Sequence, residues 1–113
     1  MTEAEFRAAC LALPGAEEGF NLQSAVFKVN GKVLARLLDE GEIMLTGVGP
    51  DEIDHLIEQA PATFHATQHF RDAKCVAARL ASLDPAMLQE LLERRFRAIA
   101  KKAAVKQWEA ERA

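Results

Sequence analysis

Asn30-Gly31, set between two short apolar runs in "VFKVNGKVLARL" (residues 26–37), is the feature that most narrows what this chain can fold into. Both residues tolerate the left-handed backbone of a tight turn, so the segment predicts a β-hairpin. An isolated hairpin is marginal in water, and more strands or a packed helix must complete it. Two registers are available. A two-residue turn pairs Val29 with Lys32 and Lys28 with Val33, which mixes cations and apolar residues on each face. A three-residue loop, Val29-Asn30-Gly31 closing on a glycine bulge, pairs Lys28 with Lys32 instead. Val26, Lys28, Lys32, Leu34 and Arg36 then share one face, and Phe27, Val29, Val33, Ala35 and Leu37 form a wholly apolar one. Register follows the hydrophobic pattern where one face is buried. The expectation is therefore the bulged hairpin, with the three cations together.

The rest of the chain supplies the helices and strands such a hairpin needs. Thr2 and Glu5 make a capping box before a helix whose stripe is Phe6, Ala9, Cys10 and Leu13, stopped by Pro14-Gly15. "GAEEGFNLQS" reads as a polar connector, "DEG" (39–41) as a turn, and "EIMLTG" as a third strand. "GPDEIDHLIEQAP" predicts a compact helix with Pro50 in its first turn and Ile53, Leu56, Ile57 and Ala60 inward. Residues 61–72 read as irregular, 74–80 as a fourth strand, and Asp84-Pro85 as the cap of one long final helix with Leu88, Leu91, Leu92, Phe96, Ile99 and Ala103 inward. The order αβββαβα, with short links between strands, predicts a single α+β domain over residues 1–113. Its antiparallel sheet of about four or five strands packs against helices.

Composition excludes more than it selects. No apolar run reaches the roughly 20 residues of a membrane span, and "MTEAEF" lacks the features of a secretory leader. Cys10 and Cys75 have no zinc-ligand spacing, which suits reduced thiols in a cytoplasmic protein. Net charge is −3, unevenly spread: residues 1–70 hold 4 Lys/Arg against 11 Asp/Glu, and residues 71–113 hold 10 against 6. The stretch 94–106 carries six cations and no acid, with Arg95 directed between Leu91 and Ile99 and expected to pack its stem and pair with a carboxylate. His65 and His69 have i, i+4 spacing but lack the glutamate of a metalloprotease motif and fall in a predicted loop, so no metal site is expected. Thr46-Gly47-Val48-Gly49-Pro50 lacks a phosphate-loop lysine. No nucleophile–base set stands out around Ser24 or Ser82, so neither enzymatic activity nor a cofactor is expected.

Taken together, "LPGAEE", "VFKVNGKVLARL", "EIMLTG…PDEIDHLIEQAP", "HFRDAKCVAARL" and "LLERRFRAIAKK" resemble, in order and spacing, the MmcQ/YjbR family of small bacterial proteins over about residues 3–103. The resemblance implies an α/β sandwich of CyaY-like, double-wing-like shape, and some members are labelled DNA-binding by analogy of shape. Lys28, Gly31 and Lys32 match the family's hairpin and His69 its histidine. Cys75 stands at its tryptophan position, and Arg95-Phe96 where a Ser-Tyr pair is common.

Two readings of function follow. The first is a non-enzymatic module contacting double-stranded DNA through phosphates, by way of Lys28, Lys32, Arg36, Lys74, Arg79, Lys101 and Lys102. The alternative is a protein- or small-ligand-binding module with no nucleic-acid role, using the sheet face or a groove beside His69. They are separated by whether the wing cations and the basic helix end join into one surface, or whether Asp39, Glu40 or Glu42 interrupt it.

Overall fold

Helix α1 (Glu3–Leu11) begins at the predicted capping box, with the Glu5 amide donating to the Thr2 hydroxyl and the Thr2 amide to the Glu5 carboxylate. In the computed structural model, which describes residues 1–21 and 23–112, six strands follow: β1 (Glu17–Asn21), β2 (Ser24–Val29), β3 (Lys32–Leu37), β4 (Glu42–Thr46), β5 (Phe64–His65) and β6 (Cys75–Arg79). They make one antiparallel sheet in the order β1-β2-β3-β4-β6-β5. Helices α2 (Pro50–Gln59), α3 (Gln68–Asp72), α4 (Pro85–Ile99) and α5 (Lys102–Arg112) complete an α+β domain.

One face of the sheet is apolar because alternate residues on its strands are. Phe27, Ala35, Leu45 and Val76 form one cross-strand row, and Leu37, Ile43, Ala78 and Phe64 another. Against these rows pack Phe6 of α1, edge-on to Phe27 with ring centroids 5.5 Å apart, Ile53 and Leu56 of α2, and Leu88, Leu92 and Phe96 of α4. The opposite face carries the row Val26, Arg36, Met44, Ala77 and His65, with the Glu42 carboxylate paired to the His65 ring.

Four expectations need correction. The "GAEEGFNLQS" connector contains edge strand β1, whose five residues are all exposed and so give no alternation to read. Residues 61–72 contain β5 and α3, elements of two and five residues, too short for a periodic signal. The final helix is broken: α4 ends at Ile99, Ala100 turns extended, and α5 folds back. Ala103 is consequently exposed, and Trp108 fills the buried position of the second helix. Within α4, Arg95 does not meet a carboxylate; its Nε donates to the Val33 carbonyl at 3.1 Å.

Candidate polyanion interface

The hairpin register is the two-residue one. Asn30 and Gly31 both have left-handed φ values, 53° and 76°, so Val29 pairs with Lys32 and Lys28 with Val33. The bulge lies further along, on β3 instead of at the turn. Lys28 opposes Val33 while Phe27 opposes Ala35, which leaves Leu34 as the extra residue. Displacing the bulge solves the packing problem differently from the expected register, since Leu34 enters the core and Val33 stays half-buried. The carbonyls of the bulge are met by the Thr46 hydroxyl, 2.9 Å from both Val33 O and Leu34 O, and by Arg95. The consequence for charge is that Lys28 and Arg36 stand with Val26 on the face away from the helices, whereas Lys32 falls on Val29's side. The three cations do not share a face.

What they share depends instead on the two ends of the sheet. At the hairpin-turn end lie Lys28, Lys32 and, beyond the end of β4, Lys74, whose carbonyl accepts from the Val48 amide. The α4–α5 corner is held to the same end, because the Asn30 side-chain amide donates to the Ile99 carbonyl at 3.1 Å. That contact brings in Lys101 and Lys102. Arg36 and Arg79 do not join them. Arg36 bonds the Asn21 carbonyl and the Ser24 hydroxyl. Arg79 donates to the Ala62 carbonyl and opens on a cleft with Glu3, Glu40 and Glu42 at the opposite end. His69 is exposed on α3.

The pairing pattern adds a distinction that sequence reasoning missed. Arg7, Arg71, Arg94, Arg97 and Arg112 each pair with a carboxylate, from Glu18, Asp54, Glu52, Glu109 and Glu93 respectively. Arg36, Arg79 and Arg95 each bond backbone carbonyls. Every arginine is thus committed inside the fold. By contrast, Lys28, Lys32, Lys74, Lys101, Lys102 and Lys106 make no ion pair or side-chain hydrogen bond among the described residues. Five of them crowd the hairpin end, and Lys106 lies one turn into α5. Several of the arginine pairings join residues many positions apart, which is why a linear reading of basic residues pooled the two types.

The two thiols are buried and unbridged. Burial pushes Cys10 up to about 12, with the Glu18 charge adding to the effect, and burial raises Cys75 against the opposing Arg95 charge. Both shifts disfavour the thiolate at neutral pH. No group of three or more metal-ligating side chains occurs among the described residues, and no helix there is long and apolar enough to cross a membrane.

The comparisons with known proteins agree with this architecture. The chain superimposes on the crystal structure of the Deinococcus radiodurans protein DR2400, of family-model domain DUF419. The TM-score is 0.72 at 26% identity, covering 90% of this chain and 80% of that one. No curated protein matches. The YjbR family model matches residues 11–98, spanning α1's last residue to near the end of α4, and the chain therefore belongs to the YjbR family.

Proposed function

We propose that this is a non-enzymatic, cytoplasmic binding module that contacts double-stranded DNA through its phosphates, using the lysine end of the sheet. One observation carries the reading: among the described residues the basic side chains of Lys and Arg without an internal partner are the lysines, five of the six gathered where hairpin turn, β6 entry and α4–α5 corner meet. Mobile ammonium groups suit phosphate contacts that position a duplex without reading its bases. The opposite end, with Glu3, Asp39, Glu40 and Glu42, repels a polyanion and would orient the module with its hairpin toward the duplex. Arg36 and Arg79 are not part of this contact set.

The test is fluorescence anisotropy with a labelled duplex of about 20 base pairs across a salt series. If about four phosphates are neutralised, the log–log salt slope is about −3 to −4. Lys32→Ala/Lys74→Ala reduces its magnitude by about 2, and Arg79→Ala leaves it unchanged. No binding at low salt would end the proposal.

A further inference from the structure

The hairpin turn and the α4–α5 corner enclose a cleft of about 370 Å³, within the roughly 300–1,000 Å³ of small-ligand sites. Its walls come from three separate parts of the chain: Pro14 to Glu17, Lys28 to Gly31, and Ala100 to Ala104. The Asn30–Ile99 hydrogen bond ties two of these walls together, so the cleft is formed without a ligand. Its floor is apolar, with Val29 buried and Ala100 and Ala104 half-buried. Its charged groups are Lys28, Lys101 and Glu17. Glu17 stands opposite Lys28 in the β1–β2 register, yet no ion pair forms between them within 4.0 Å. Lys28 and Lys101 thus line the cleft beside Glu17, and neither lysine is in an ion pair.

We infer that this cleft binds a small phosphate monoester whose body carries hydroxyl donors, a nucleoside or sugar monophosphate. A terminal monoester phosphate presents three free oxygens to the two lysines where a backbone diester presents two, and with Glu17 the charges of the lining sum to +1. The apolar floor accommodates the body of the ligand. Glu17 supplies the selectivity: its carboxylate accepts from a hydroxyl on the body of the ligand, a body that inorganic phosphate does not have. The inference shares Lys28 and Lys101 with the lysine end but does not require that duplex DNA be bound.

The experiment is calorimetric titration of the full chain with adenosine 5′-monophosphate, ribose 5-phosphate, adenosine and inorganic phosphate, followed by NMR mapping of the amide shifts. A phosphate monoester is expected to bind and to shift Gly31 and Lys101. Adenosine and inorganic phosphate are each expected to bind about tenfold more weakly or less. Lys28→Ala and Lys101→Ala should each cost about tenfold, as the loss of one charge-assisted hydrogen bond does. Glu17→Gln should narrow the preference for the monoesters over inorganic phosphate. The two monoesters decide between a nucleotide and a plain sugar phosphate. Lys32→Ala/Lys74→Ala should leave this binding unchanged while flattening the duplex salt slope, so either reading can fail alone. Absence of monoester binding, or inorganic phosphate binding equally well, would overturn the inference.

Discussion

Gly47 shows how tightly one residue can be constrained by its neighbour. Its φ is +72°, and a Cβ there would sit 2.9 Å from Cδ of Arg95, the side chain that reaches across to the Val33 carbonyl. Gly47→Ala should therefore cost about 1–3 kcal/mol, combining left-handed strain with displacement of Arg95; urea unfolding measures it. At Cys10, full burial and a thiol pushed up to about 12 predict that the native protein resists thiol-reactive probes at neutral pH. Labelling of this cysteine should follow the rate of opening of the α1 region, which a denaturant series would reveal. At the sequence level Cys10 was already readable as a core residue, because it lies on the stripe of α1. Gly47 was not: the need for glycine there comes from a side chain 48 positions away along the chain.

At the scale of elements, α5 is the least expected part of the molecule and the most exposed to perturbation. It lies outside the residues matched by the family model. Trp108 docks it: the indole is buried edge-on against Phe96 with centroids 5.0 Å apart, and the Arg97 and Arg112 guanidiniums stand 4.8 and 4.4 Å from its ring centroid. Trp108→Ala should cost about 3–5 kcal/mol, read by chemical denaturation. Acid should weaken the same docking. Burial alone would raise the Glu93 carboxyl, but hydrogen bonds from Arg112 and Gln89 outweigh it and hold the carboxyl below its ordinary 4.5. A depressed folded value means the stabilisation is present above 4.5 and is lost as pH falls through the lower folded value. As the only tryptophan, Trp108 should report this directly by a red shift in its emission on acidification, reversed at neutral pH. The elements with strong local signals (the α1 capping box, the hairpin at Asn30-Gly31, Pro50 opening α2) were legible in the sequence, although the hairpin closes on the two-residue turn and not the expected three-residue loop. The break at Ala100 was not, since "RAIAKKAAV" contains no glycine or proline and its corner is tied by Asn30 from the hairpin. The bulge escaped for a related reason: Leu34 is apolar under either register, and only contacts from Thr46 and Arg95 show which carbonyls are splayed.

Across the whole molecule the charges separate by end and by chemistry. The sequence showed the excess of cations in residues 71–113 but not that most of the arginines there are cancelled internally. What is left is a set of lysines that form no ion pair among the described residues, whose charge an anion would neutralise. A polyanion such as a short duplex should accordingly raise the melting temperature, in proportion to how far its concentration exceeds its dissociation constant. Lys32→Glu/Lys74→Glu should abolish that shift and, on its own, leave the melting temperature unchanged or higher. Because no lysine side chain at the hairpin end bonds a cap, bulge or core group among the described residues, that surface can be recoded, within the limit that the left-handed φ of 58° at Lys74 sets on its replacements. Positions that decide whether the chain survives and positions that decide what it touches hardly overlap. Sequence drift, or a designer, can therefore exchange one partner for another there while the scaffold carries over intact.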